Sequence, residues 1–256
     1  MLGGLALAVV FAAVCVLLGR WQWGRYEDKQ AKATAITTHY AATPIPFAQV
    51  APQMPVGEDD EWIRVTTTGR YANQQLLVRN RTLDGQAGLE VLAPLDLDGP
   101  LQGYRLVVDR GWVANADSAA QLPAVPPAPG GEVTVVGWVR RGEPDLGKDL
   151  PAGQLASIDP GEVARQTGVN VLDGYLVLGS ETTATGASPA RPQPLEAPTT
   201  DLGPHQAYAF QWWLTAAFGF VLLGYRLRLA AAAEQPEKVP VEPKPKKVRI
   251  WDEEDA

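Results

Sequence analysis

Two short polar and aromatic stretches hold the residue types best suited to chemistry, and they lie near opposite ends of the 256-residue chain. In the later one, His205, Tyr208, Trp212 and Thr215 recur at i, i+3, i+7 and i+10, which places them on one face of a helix. A helix N-terminus carries partial positive charge, and this disfavours the imidazolium form of a histidine placed there. Neutral imidazole is the form that ligates metals and haem iron. The plainer reading is a polar anchor at a membrane interface, beside aromatic residues that favour the same depth. In the earlier stretch, Trp21 and Arg25, like Gln22 and Tyr26, are i, i+4 neighbours. An arginine there either snorkels to the surface or holds a carboxylate, such as a haem propionate.

The elements around these residues read as membrane spans. From Ala207 to Tyr225 nothing is charged, which is about the length a helix needs to cross a bilayer. Gly203 reads as its cap and Pro204 as its first turn. Tyr208, Trp212, Trp213 and Tyr225 lie towards its ends, where aromatic belts form, and Arg226 and Arg228 close it. Leu2 to Leu18 forms the other span. No basic stretch precedes it and Trp21 and Trp23 follow it, so an uncleaved anchor is favoured over a signal peptide. Two spans predict an antiparallel hairpin with both termini on one side. Trp21, Gln22, Arg25, His205, Tyr208, Gln211 and Trp212 are then placed to line one interfacial pocket.

Between the spans the period changes. The sequence divides into a first helix and its interfacial exit (1–26), a helical continuation and loop (27–61), a β-rich domain (62–181), a linker (182–203), a second span (204–228) and a disordered tail (229–256). Alternation predicts strands at 62–68, 75–80, 89–97, 104–113, 133–140 and 175–178. Gly69 marks a bulge, Asp84-Gly85 a hairpin turn, and Asp159-Pro160 with Glu162 the start of a short helix with an acidic capping box. The Pro-rich stretch 122–131 and the stretch 182–198 read as exposed loops that cannot pack. The class is an α+β membrane protein: a helical hairpin flanking a mainly antiparallel sandwich or partly closed barrel.

Composition excludes several functions. From Glu27 to Pro204 there are 22 acidic against 13 basic residues, which argues against nucleic acid and anionic lipid headgroups as partners of that domain. The single cysteine, Cys15, forms no disulfide or redox pair within the chain, and with Met1 and Met54 it makes no copper-carrier site. His39 reads as a surface residue, and no nucleophile–base pair or phosphate loop is legible. Arg79, Arg81, Asp109 and Arg110 on strands predict cross-strand ion pairs, and Trp112 and Trp138 predict core. Trp251 reads as an incidental aromatic of the tail.

Leu18-Gly19-Arg20-Trp21-Gln22-Trp23-Gly24-Arg25 resembles the signature that opens the Surfeit locus protein 1 family, and His205-Gln206-Ala207-Tyr208-Ala209-Phe210-Gln211-Trp212 its closing one. Gly69-Arg70-Tyr71, Arg79-Asn80-Arg81 with Gly85 and Gly88, Val91 to Leu95, and Val107 to Val113 match in order between them. Gly203-Pro204 departs from the Asn that often precedes the family's histidine. The resemblance implies a non-enzymatic assembly factor for haem–copper cytochrome c oxidase that binds haem a through His205 and the pocket around it. It implies the oxidase core subunit as partner, with haem a synthase a further candidate, and a central domain outside the cytoplasm. A bacterial plasma membrane is expected, because no Arg- and Ser-rich transit segment is present. A scaffold of the oxidase that never touches haem, and an unrelated membrane-anchored hydrolase or sensor, are the competing readings.

Overall fold

The computed structural model describes residues 2–118 and 121–234, so Trp251 and most of the expected tail lie outside the described residues. The chain divides into two compact units, one formed by the first helix up to Tyr26 with the last helix, the other by Glu27–Leu202.

In the helical unit, α1 (Leu2–Tyr40, its later part belonging to the other unit) and α3 (His205–Ala233) are both long and apolar enough to cross a membrane. They pair antiparallel: Gly4 faces Leu223, Phe11 faces Gly219, Ala12 and Cys15 pack on Ala216, and Gly19 meets Trp213. Small residues at these contacts let the backbones approach. A Cβ at Gly19 would collide with the Trp213 indole. Leu5, Leu7, Leu17, Leu214, Phe218 and Val221 stay exposed on the outer faces. Two boundaries differ from expectation. Pro204 is itself the N-cap, with Gly203 before it at φ 64°, and α3 runs past 228 through the alanines to Ala233 because alanine is the best helix former.

The β unit is a ring. Its strands are β1 (Ile45–Pro46), β2 (Arg64–Tyr71), β3 (Leu76–Leu83), β4 (Gln86–Leu97), β5 (Arg105–Ala114), β6 (Glu132–Arg140), β7 (Gln154–Leu155) and β8 (Tyr175–Thr183), with α2 (Pro160–Thr167) before β8. Pairing runs β2–β6–β8–β5–β4 and returns from β4 to β2, with β5 and β8 parallel. Val65, Leu95, Leu106, Val108, Val135 and Leu176 belong to one core cluster, whereas Leu76, Leu92, Val107, Val163, Tyr175 and Val177 form a second beneath α2. Strands buried on both faces explain the unbroken apolar runs Leu106–Val108 and Tyr175–Leu178.

Local signals act as expected at two turns. Asp84 and Gly85 take φ 51° and 75°, the pair of positive angles of a type I′ hairpin turn. The Asp159 carboxylate accepts from the Gly161 and Glu162 amides, although Glu162 bonds Arg165 and Gln166, and its carboxylate closes no capping box. The expected bulge at Gly69 is overturned. The β2–β6 register is unbroken from Arg64↔Trp138 to Arg70↔Glu132, and a Cβ at Gly69 would strike the Asp96 carbonyl where β2 also pairs with β4. Glycine is needed there for ring closure. The register shifts lie instead at 78–81, 90–92 and 136–137.

The two Pro-rich stretches are tied down rather than loose, and the reason is Arg110. Its side chain is 0% exposed and pairs with Glu181 (1%) at 2.6 Å. Its guanidinium also donates to Gln75 Oε1 at 3.0 Å, to the Pro126 carbonyl at 3.1 Å and to the Ala190 carbonyl at 3.3 Å. A buried guanidinium requires acceptors for its whole fork, and both stretches supply backbone oxygens. Gly111 then lets residues 192–193 close in, and Trp112 exchanges backbone hydrogen bonds with Gln193.

Candidate functional site

The sequence-derived site residues all belong to the helical unit, and the structure groups them in three ways. Gln22 and His205 meet across the helix pair: His205 Nδ1 lies 2.8 Å from Gln22 Oε1, and both residues are half-buried. Trp21 and Arg25 form a second group, with the guanidinium 5.9 Å from the ring centroid and Trp21 58% exposed. Tyr208 and Gln211 are exposed on α3, whereas Trp212 turns inward against the Ala12, Cys15 and Ala216 cluster. Trp212 is therefore a helix-packing residue as well as a site candidate. The Thr215 hydroxyl donates back to the Gln211 carbonyl.

Spacing alone did not pick out the aromatic clasp beside these residues. Trp23 lies 6.0 Å from Phe210 and 5.8 Å from Trp213, and Phe210 and Trp213 are themselves edge-on at 5.7 Å. With Gly19 beneath the Trp213 indole, this clasp fixes the register that brings Gln22 to His205. The i, i+3 spacing of Phe210 and Trp213 was the available signal.

The residues suit haem better than a bare metal ion. Among the described residues no group of three His, Cys, Asp or Glu side chains is arranged to hold a metal ion. Haem iron asks the protein for as little as one axial imidazole, and His205 has one ring nitrogen, Nε2, outside its contact with Gln22. Exposed Trp21 and Tyr208 supply apolar area, and Arg25 a cation for a propionate.

Residues of interest in the β unit are accounted for structurally. Arg81 pairs with Glu90 at 3.0 Å and with Glu143, and its carbonyl accepts from Trp112 Nε1. Arg79 makes no ion pair of this kind among the described residues but donates to Gln154. Asp109 is also outside the predicted ion pairs. One oxygen accepts from the Gly111 amide, and the other is buried with no hydrogen-bond partner among the described residues. Burial, with the Glu90 charge adding, pushes its carboxyl well above the usual carboxylate range. Trp112 is core, at 4% exposure, and Trp138 packs at the edge of the second core cluster. Trp138 lies half-buried, stacks on Tyr40 with centroids 4.2 Å apart, and donates to the Tyr40 carbonyl at 2.9 Å. An orphan carbonyl at the end of α1 is thereby satisfied. His39 is also half-buried there, with Nδ1 3.2 Å from the Glu61 carbonyl. A cavity of about 270 Å³ nearby is lined by Lys32, Glu58, Glu61, Trp62, Arg140 and Arg141 among others. Arg140–Glu61 and Arg141–Glu58 already neutralise each other across it.

Residues 9–217 match the SURF1 family. Uncharacterised SURF1-like proteins of Mycobacterium bovis and Mycobacterium tuberculosis are each 32% identical to this chain, over 97% of it and 92% of their own length.

Proposed function

The chain belongs to the SURF1 family, whose members are linked to cytochrome c oxidase assembly and are not known as enzymes, and from that premise we propose that it captures haem a at His205 and hands it to the oxidase core subunit. The observation that supports this reading is the half-buried imidazole held by Gln22 with Nε2 left over. A haem bound here would supply the iron chemistry; His205 would hold the iron through Nε2, Trp21 and Tyr208 would cover part of the apolar ring system, and Arg25 would meet a propionate. A single ligand on a half-open surface suits cargo that must leave again.

The same reading puts the β unit outside the cytoplasm of a bacterial plasma membrane, with both termini inside and haem a synthase as a neighbour. A reporter active only outside the cytoplasm is expected to give signal when fused at Ala187 and none at Ala232; the reverse pattern overturns the orientation. The deciding experiment is co-expression with haem a synthesis, purification and an optical spectrum. Wild type is expected to carry haem a, His205→Ala to lose it while still inserting, and His39→Ala to keep it. Full retention in His205→Ala removes the ligand assignment, and a haem-free wild type favours a scaffold.

A further inference from the structure

We propose that Gln22 is a positioning residue that holds His205 as the Nδ1–H tautomer and so presents Nε2 as a bare donor atom, an inference that rests on His205 being the iron ligand. An amide oxygen only accepts hydrogen bonds, whereas either imidazole nitrogen can carry the proton. The contact is between Nδ1 and Oε1 at 2.8 Å, a normal N–H···O length, so the proton sits on Nδ1. The hydrogen bond made by one ring nitrogen decides which nitrogen is free to bind metal.

The partner comes from the other helix. Gln22 is on α1 next to Trp23 of the clasp, and His205 is on α3, five residues before Phe210. A ligand-ready imidazole is therefore a property of the closed helix pair and not of α3 alone. The identity of the partner also sets ligand strength. A carboxylate on Nδ1–H would raise the basicity of the imidazole, whereas a neutral amide orients it without that increase. This suits a site that releases its cargo.

The test uses the full chain in lipid nanodiscs, with ¹⁵N-labelled histidine and His39→Gln so that one imidazole reports. In the haem-free protein at pH 8, wild-type Gln22 is expected to give a protonated Nδ1 and an unprotonated Nε2. Gln22→Leu is expected to move the proton to Nε2, and Gln22→Glu to keep it on Nδ1. An Nε2–H tautomer in wild type, or Nδ1–H persisting in Gln22→Leu, overturns the proposal. With haem a added, Gln22→Leu is expected to lose 10–100-fold in affinity. Gln22→Glu is expected to bind and to shift the iron midpoint potential negative, which a purely structural role would not do. Equal affinities and potentials in all three also overturn it. A wild type that binds no haem ends the reading of His205 as ligand, while the nitrogen shifts still decide the tautomer.

Discussion

Arg110 and His205 are the polar centres of the two units, and they are finished differently. Arg110 sits inside the β unit with both of its carboxylate contacts, one amide and two carbonyls satisfied by one guanidinium. His205 has one nitrogen engaged by Gln22 and is only half-buried. A polar group whose every donor is met inside the fold has nothing left to offer a ligand, and its role is to hold distant segments together. A polar group with one atom over, at an exposed edge, is equipped to bind. Residue type alone does not separate these cases.

The largest effect should come from breaking the closed centre. Arg110→Leu leaves Glu181 charged and buried without its partner, a loss of about 3–5 kcal/mol. Chemical unfolding of the purified full chain should show the β unit losing most of its protection against proteolysis. Adding Glu181→Leu should recover only part of it, because the Pro126 and Ala190 carbonyls still lack their donor. Full recovery would mean that the pair alone, without its carbonyl partners, matters.

The open centre should respond in the opposite sense, in binding rather than stability. His205→Ala removes one half-buried hydrogen bond, worth about 0.5–1.5 kcal/mol, and should abolish haem binding while leaving β-unit unfolding unchanged. A β unit that unfolds earlier in this variant would erase the contrast.

Arg25 sharpens the contrast further, since it is exposed and stacked over Trp21 rather than buried among acceptors. Arg25→Lys keeps charge but loses the forked contact with a propionate, so haem affinity should fall by roughly tenfold, about 1.4 kcal/mol. Arg25→Leu should fall further. Equal affinities in titrations of wild type, Lys and Leu would leave Arg25 as a helix anchor.

The smallest effect lies next to Arg110. Asp109 has a raised carboxyl in the folded chain because burial disfavours its charge. The folded state therefore holds a proton that the unfolded state gives up earlier, and this contribution to stability falls as pH rises from the ordinary carboxylate range through the raised value. Asp109→Asn should flatten that slope, with little change near pH 4 and a relative gain near pH 8. Hydrogen exchange of the β5 amides in the full chain measures it; parallel slopes in both proteins would show that Asp109 does not titrate in this range.

Much of this architecture was legible in local pattern. Alternation located the six long strands, Asp84-Gly85 the hairpin, and Asp159-Pro160 the start of α2, because each is set by residues a few positions apart. The two uncharged stretches gave the helix pair, and an antiparallel pair brings Gln22 and His205 to one level. What no local pattern carries is the choice of partner across the fold. Gly69 resembles a bulge until β4 is seen to approach it, and Trp138, read as core, sits half-buried at the core's edge with Tyr40 stacked on it. Trp212 shares a helix face with His205, and that face turns towards α1, where small residues leave room for the indole. Arg110 reads as half of a cross-strand ion pair, and Glu181 on β8 supplies the other half, but nothing local shows that Gln75, Pro126 and Ala190 complete its fork. Their separation from Arg110 along the chain ranges from 16 to 80 residues, and only ring closure brings them together. Helices and turns follow from neighbours in sequence, whereas the satisfaction of a buried charge and the freedom of an imidazole nitrogen depend on long-range register, which the tertiary structure alone decides.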